Sequence, residues 1–395
     1  MLIYLDNAAT SFPKPEAMYA FMDQFYRRAG VNPGRSGYDL CIEAGQLVED
    51  TRRLLAGLFG LGEPHHLTFA YNSTDALNLA IFGLLQPGDH AISTTLEHNS
   101  VIRPLNHAAR DLGVEVEFVP FGADGFVDPD DIAGRFRSNT RLVAVNHASN
   151  VIGTVQPVAD IGRLCRERGI TMLIDASQTA GKVPIDLEAM NLDIVAFTGH
   201  KSLMGPTGIG GLCVRDGVQI RHTRAGGTGV RSVEPYHLDE FPYRLEYGTV
   251  NLLGVAGLYA GVRWLLDQGQ HTVHEQEMRL ITRLRDGLRG LDGVTLYCQD
   301  DLRNHIGVLV FNVDGYEAAD VGTILDVDHD IACRTGLHCA PLLHRQLGTE
   351  SIHGAVRLSV GPFNTEAHVE VAIGAVREIA ATRRSTANFR TGSLV

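Results

Sequence analysis

Long hydrophobic runs are missing from this sequence. Each apolar stretch is short and broken by glycine or charge, which leaves no candidate membrane span. An excess of positive charge is missing too. Lysine and arginine number 34 against 46 aspartates and glutamates, a formal net charge of −12, and no basic stripe offsets it, so a nucleic-acid surface is excluded. The cysteines (Cys41, Cys165, Cys213, Cys298, Cys333, Cys339) include no CxxC pair and no metal-ligand spacing, which fits a reducing compartment and predicts no metal site. No G-x-G-x-x-G follows the first strand, so a dinucleotide-binding dehydrogenase is discounted. The opening "MLIYLDNAATSFPKP" has neither the basic start nor the apolar core of a secretory signal, and the expectation is a cytoplasmic protein.

What is present is an ordinary globular composition, 44% hydrophobic and 20% charged, over 395 residues, enough for more than one domain. From residue 66 seven short apolar segments read as strands: "HLTFA", "HAIST", "VEVEFVP", "TRLVAVNH", "ITMLIDAS", "DIVAFTG" and "GGLCVR". Helical segments such as "TDALNLAIFGLLQ" and "VADIGRLCRERG" lie between them. This alternation predicts an α/β fold with a mostly parallel sheet and helices on both faces. After residue 250 long helices surround the strands "HIGVLVFNV", "HDIACRTG" and "GAVRLSVG", which predicts a smaller α+β domain. The expected division is a large domain over 15–255 and a small one over 256–395 together with 1–14, ending in a loose polar tail, "TRRSTANFRTGSLV".

Ligands of open α/β sheets bind beyond the carboxyl ends of the strands. Four strand ends carry polar groups there: His98; Asn146, His147 and Asn150; Asp175 with Gln178; and Thr198, His200 and Lys201. Each alone has a plain structural reading, such as a helix cap. Ser73 and Thr74, just before an apolar helix, suit a phosphate, although N-capping alone explains them as well. A lysine in a partly dry strand-end site has its pKa lowered and forms a Schiff base with an aldehyde. Pyridoxal 5'-phosphate (PLP) has an aldehyde, a pyridine nitrogen and a phosphate, and so would use every group named. Asp175 would pair with the pyridinium, Gln178 would reach the ring oxygen and His98 would stack on the ring. Thr198, His200, Ser73 and Thr74 would hold the phosphate.

The set "YLDNAATSFPKP", "EHNS", "SNVIGTVQP", "DASQTAG", "FTGHKSLMGPTGIGGL", "EYGTVN" and "RTGLHCAPL" resembles the cysteine desulfurases, class V members of the fold-type I PLP-dependent transferases. The resemblance runs from about residue 3 to about residue 380. It implies Lys201 as the Schiff-base lysine with His200 beside it on the phosphate. It further implies Asn150 near the ring oxygen and substrate, Arg357 as the clamp on the substrate carboxylate, and Thr249 reaching across a homodimer interface to the partner's phosphate. His98 would also shuttle protons. Cys339 would be the sulfur-accepting nucleophile on a short loop of the group II type, with His338 lowering its thiol pKa. Group II members often read His-His-Cys, where this chain has Leu337 before His338 and Cys339. "NPGRSGYDL", with Arg35, and "GGTGVRS" resemble a selenocysteine lyase-like branch of desulfurase-like proteins more than the iron–sulfur cluster enzymes.

The implied reaction turns L-cysteine into L-alanine. Lys201 takes the Cα proton, and Cys339 attacks the substrate sulfur and keeps it as a persulfide for an acceptor protein or a free reductant. Selenocysteine lyase and other C–S lyase activities on sulfur amino acids are the alternatives, and a non-catalytic PLP-fold sulfur-carrier scaffold is the remote one. Intact Lys201, Asp175 and Arg357 argue against the scaffold.

Overall fold

The computed structural model describes residues 2–34, 37–298 and 300–390, with side chains through 382, so Arg35 lies outside it. In chain order the strands are β1 (Ile3–Tyr4), β2 (Leu67–Ala70), β3 (His90–Thr94), β4 (Glu115–Val119), β5 (Thr140–Asn146), β6 (Thr171–Asp175), β7 (Ile194–Thr198), β8 (Gly210–Val214), β9 (Val294–Leu296), β10 (Val308–Val313), β11 (Ile331–Ala332), β12 (Arg334–Gly336) and β13 (Ala355–Ser359). The helices are α1 (Glu16–Ala29), α2 (Asp39–Leu58), α3 (Ser73–Leu84), α4 (Asn99–Leu112), α5 (Pro129–Ala133), α6 (Val158–Glu167), α7 (Leu252–Gln268), α8 (Gln270–Leu288), α9 (Ala318–His329), α10 (Pro341–Gln346) and α11 (Glu366–Arg390).

All seven expected strands meet in one sheet, ordered β2-β8-β7-β6-β5-β3-β4. Every pairing is parallel except those of β8, which runs against both neighbours. Every residue of β3, β7 and β8 is buried, as a sheet covered on both faces requires. The edge strand β4 is less covered, running from exposed Glu115 through three partly buried residues to buried Val119. The helical periodicity of α6 buries Val158, Ile161, Gly162 and Cys165 on one face. One face of the sheet packs on α2, α6 and α7, the other on α3 and α4.

The second core is built from α8, α9 and α11 on a four-stranded antiparallel sheet, β12-β13-β10-β9. The N-terminal β1 joins this half, pairing in parallel with β11. The segment "HDIACRTG" is therefore not one strand. It breaks at Cys333, with Ile331–Ala332 pairing to β1 and Arg334–Gly336 pairing to β13. Helix α7 packs through Val262 in the core of the large sheet. A buried ion pair, Lys182 to Glu277 at 2.7 Å, joins the loop after β6 to α8. The stretch expected as a loose tail continues α11 to Arg390, and 391–395 lie outside the described residues.

Candidate active site

The register of the large sheet puts its polar strand ends side by side. Asn146 pairs with Asp175, and Gly210 lies between Ala70 of β2 and Thr198 of β7. A Cβ at Gly210 would come within 2.6 Å of the Phe197 carbonyl oxygen, so only glycine lets β8 pass this close to the segment carrying Lys201. Beyond these ends opens a cavity of about 230 Å³. Ser73, Thr74, His98, Asn150, Asp175, Gln178, Thr198, His200 and Lys201 all line it. Nine of the twelve residues expected at the site are thus brought together, while Thr249, Cys339 and Arg357 stand outside the lining.

Burial holds the Lys201 amine down to about 8, the nearby Asp175 carboxylate opposing the shift. Asp175 Oδ1 accepts from Ser73 Oγ at 3.2 Å, Ser177 N at 2.9 Å and Ser177 Oγ at 2.5 Å. Ser73 therefore serves the carboxylate as well as facing the cavity. Neither Ser73 nor Thr74 is the helix cap: Asn72 is, its side chain accepting from Asp75 N at 2.9 Å. Thr74 Oγ1 instead meets Ser100 Oγ at 2.7 Å. Ser100 in turn ties down His98, whose Nδ1 accepts from Ser100 N at 3.0 Å. Burial and the Lys201 charge push His98 down to about 4, so it stays neutral. Gln178 Nε2 donates to the Ala8 carbonyl at 3.0 Å. The His200 carbonyl accepts from Lys14 Nζ and from Thr10 Oγ1, so the N-terminal segment "AATSFPKP" clasps the residue before Lys201.

Cys339 is half-buried, and its carbonyl accepts from Asn99 N at 2.7 Å, which docks the loop on the start of α4 beside His98. Asn150 joins the remaining parts: its Nδ2 donates to the His338 carbonyl at 2.8 Å, and its own carbonyl accepts from Arg357 Nη1 at 3.0 Å. Arg357 is also paired with Asp6 at 2.6 Å, and its Nε has no partner among the described residues. His338 differs from expectation. It is buried and pushed well below its ordinary pKa by desolvation and the Arg357 charge, and its Nδ1 and Nε2 face His344 and the Arg334 carbonyl. The cation beside the sulfur is Arg334, with Nη2 3.9 Å from Cys339 Sγ. Thr249 lines a second, adjoining cavity of about 600 Å³ that shares Asn72 and Thr74 with the first.

The lining fits PLP. Thr198 Oγ1 is buried in the cavity wall with no partner among the described residues, an open polar group for a ligand to satisfy. An amine, a carboxylate and a set of hydroxyls at the start of α3 match the aldehyde, ring nitrogen and phosphate. Ser100, Ser177, Thr10 and Asp6 went unnoticed in the sequence. Ser100 carried a signal, two residues after His98, whereas Asp6 reaches Arg357 across a separation of 351 residues.

The Aminotransferase class-V family profile matches residues 3–371. A probable cysteine desulfurase from Pyrococcus abyssi is 34% identical over 393 residues, covering 98% of this chain and 96% of its own length. A cysteine desulfurase from Yersinia pseudotuberculosis is 32% identical, with 96% and 93% covered. Among solved structures, the apo cysteine desulfurase from Thermococcus onnurineus NA1 aligns with a TM-score of 0.90 at 34% identity over 96% of this chain and 95% of that one. The Escherichia coli cysteine desulfurase in its S-sulfonic acid form aligns with a TM-score of 0.86 at 30% identity over 95% and 94%. With fold, cavity chemistry and full-length similarity in agreement, this chain belongs to the class-V aminotransferases, PLP-dependent enzymes that include the cysteine desulfurases it matches.

Proposed function

We propose that this protein is a cysteine desulfurase that converts L-cysteine to L-alanine and takes the sulfur onto Cys339 as a persulfide. The observation that carries this reading is the docking of the Cys339 loop onto His98's helix and onto Asn150, beside a cavity holding a near-neutral Lys201 and Asp175. When bound, PLP draws electrons from the substrate Cα into its ring. Lys201 would hold the cofactor aldehyde and would accept the substrate Cα proton on its amine. Asp175, whose Oδ1 accepts from Ser73 and Ser177, would pair with the ring nitrogen. Neutral His98 would stack on the ring, Gln178 and Asn150 would face its oxygen, and Thr74, Thr198 and His200 would hold the phosphate. Arg357 receives the substrate carboxylate. The Cys339 thiolate attacks the substrate sulfur: an S–S bond forms, the Cβ–S bond breaks with its electron pair going to the carbon side, and protonation of that carbon leads to alanine.

A homodimer is part of this reading. In it Thr249, which lines the second cavity with Arg224 and Tyr71, reaches across the subunit interface to the partner's phosphate. Among the described residues no helix is long and apolar enough to cross a membrane. The reading also takes the enzyme as cytoplasmic, passing sulfur to an acceptor protein or thiol. The division into a large domain over 15–255 and a small one over 256–395 with 1–14 is part of the same reading; α7, which spans that boundary, packs in the core of the large sheet.

The test is product analysis on purified holoenzyme supplied with L-cysteine or, separately, L-selenocysteine. Alanine formed with sulfide or persulfide from cysteine supports the reading. Alanine from selenocysteine alone makes the enzyme a selenocysteine lyase. Pyruvate in place of alanine points to β-elimination, in which Cys339 takes no part.

A further inference from the structure

Behind Cys339 lies a buried polar chain that the reaction as written does not use. His338 Nδ1 faces His344 Nε2 at 3.1 Å, and His344 Nδ1 faces Thr349 Oγ1 at 2.8 Å. All three residues are at most 3% exposed. The protons of this chain can be assigned from its ends. His338 Nε2 lies 3.3 Å from the Arg334 carbonyl, which can only accept, so Nε2 carries the proton and Nδ1 is bare. His344 must then donate from Nε2, and its Nδ1 must accept the Thr349 hydroxyl proton. Both imidazoles stay neutral, driven there chiefly by burial. The Arg334 carbonyl at one end thus fixes the tautomer of the whole chain, and the Thr349 hydroxyl at the other end supplies the proton that His344 Nδ1 accepts.

The backbone this chain supports is strained. His338 and Cys339 both adopt left-handed φ angles, +49° and +58°, two consecutive non-glycine residues in a region such residues avoid. Such a conformation persists only where its surroundings over-determine it. Here the Cys339 carbonyl is held by Asn99 N and the His338 carbonyl by Asn150, and the His338 ring is held by His344, which Thr349 holds in turn.

We propose that His344 and Thr349 are positioning residues that, through the His338 ring, hold the Cys339 thiol turned toward the substrate. The inference rests on Cys339 being the nucleophile. The experiment compares Thr349→Val, Thr349→Ser, His344→Gln and Cys339→Ala as holoenzymes. It measures kcat and KM for L-cysteine, the cofactor absorbance, and the rate at which iodoacetamide alkylates Cys339, read by mass spectrometry. Thr349→Val, close in shape but lacking the hydroxyl, should lower kcat by about tenfold or more, the scale on which misplaced groups act. KM and absorbance should stay unchanged and the alkylation rate should shift. Thr349→Ser should restore wild-type behaviour, and His344→Gln should follow Thr349→Val. Wild-type kcat and alkylation in both Thr349→Val and His344→Gln would overturn the proposal, as would equal losses in Thr349→Ser and Thr349→Val. If Cys339→Ala retains full activity, the nucleophile reading is what fails, and the alkylation rates still report on the loop. Should the variants not fold, the imidazole 15N resonances of the wild-type protein decide: both His338 and His344 must be protonated at Nε2, and a proton at Nδ1 of either refutes the chain.

Discussion

Lys201 sits where a rigid sheet ends, and Cys339 where a short loop bends twice into the left-handed region. The lysine is placed by the backbone of β7, its neighbours β6 and β8, and the N-terminal segment that clasps His200. The cysteine is placed by side chains and by single hydrogen bonds from Asn99 and Asn150. The first region is built to hold a cofactor still in a partly dry pocket that lowers an amine's proton affinity. The second presents a half-exposed thiol, proposed above as the acceptor of the substrate sulfur, on a backbone held in the left-handed region. A lysine site of this kind tolerates little change in its floor, whereas the cysteine site depends on a few polar contacts that can be removed singly.

Removing either reactive group breaks the comparison outright. Lys201→Ala should eliminate the visible absorbance of the lysine-bound cofactor and cut turnover by roughly 10²–10⁴-fold on proton transfer alone. Turnover at the wild-type rate would show that another base does the work. Cys339→Ala should keep the absorbance, because the lysine site is separate, while cysteine turnover falls below about 1% of wild type. Loss of both signals would show that the two regions are not independent.

Arg357→Lys sharpens the boundary between the two. It removes the planar fork but keeps a cation near Asp6, so the KM for cysteine should rise about tenfold, the cost of about one charge-assisted hydrogen bond, with a smaller change in kcat. A kcat defect with unchanged KM would place Arg357 in positioning Asn150 and the cysteine loop rather than in binding substrate.

Two pH measurements probe the lysine side alone. Burial holds the Lys201 amine at about 8 against an ordinary value near 10.5, and only the neutral amine captures an aldehyde. The rate of PLP uptake by apoenzyme should therefore climb through about pH 8 and level off; a climb continuing toward 10.5 would mean that the site is wet. Beneath the same strand ends Glu97 is fully buried, accepting from Thr94 Oγ1 at 2.7 Å and Asn146 N at 3.0 Å, and burial pushes its carboxyl up to about 8. Its folded-state pKa lies above the ordinary value of 4.5, so the folded protein holds a proton that the unfolded chain has released, and stability drains away as pH rises from 4.5 through about 8. Glu97→Gln should melt close to wild type near about pH 5 and above it near about pH 9. A difference that does not vary with pH would show that Glu97 is not protonated in the fold.

The lysine side was the more legible of the two in the sequence, for a physical reason. Strands buried on both faces are written as continuous apolar runs, and the residue after such a run is a strand end, so Asp175, Thr198 and Lys201 announce themselves. The cysteine side is assembled from contacts that leave no periodic trace. His344, on α10, faces His338, and Thr349, in the loop after α10, faces His344; Asp6 meets Arg357 only because β1 crosses to the second core. The break of "HDIACRTG" at Cys333 was hidden for the same cause: its two halves are chosen by different partner strands. The three-residue, partly exposed β9 has too few apolar residues to show a period at all. The cap of α3 was misread by one residue because asparagine, serine and threonine stand in a row and each can cap.

The crossing of β1 has a consequence for how the chain is made. Ile3, Tyr4 and Asp6 are made long before their partners Ile331, Ala332 and Arg357, Asp6 and Arg357 being separated by 351 residues. Until that stretch is complete, β1 is an orphan edge and the Asp6 carboxylate has no Arg357 to pair with. A nascent chain that stops short of β13 cannot pair Asp6 with Arg357, so a stalled product would lack the carboxylate clamp proposed above.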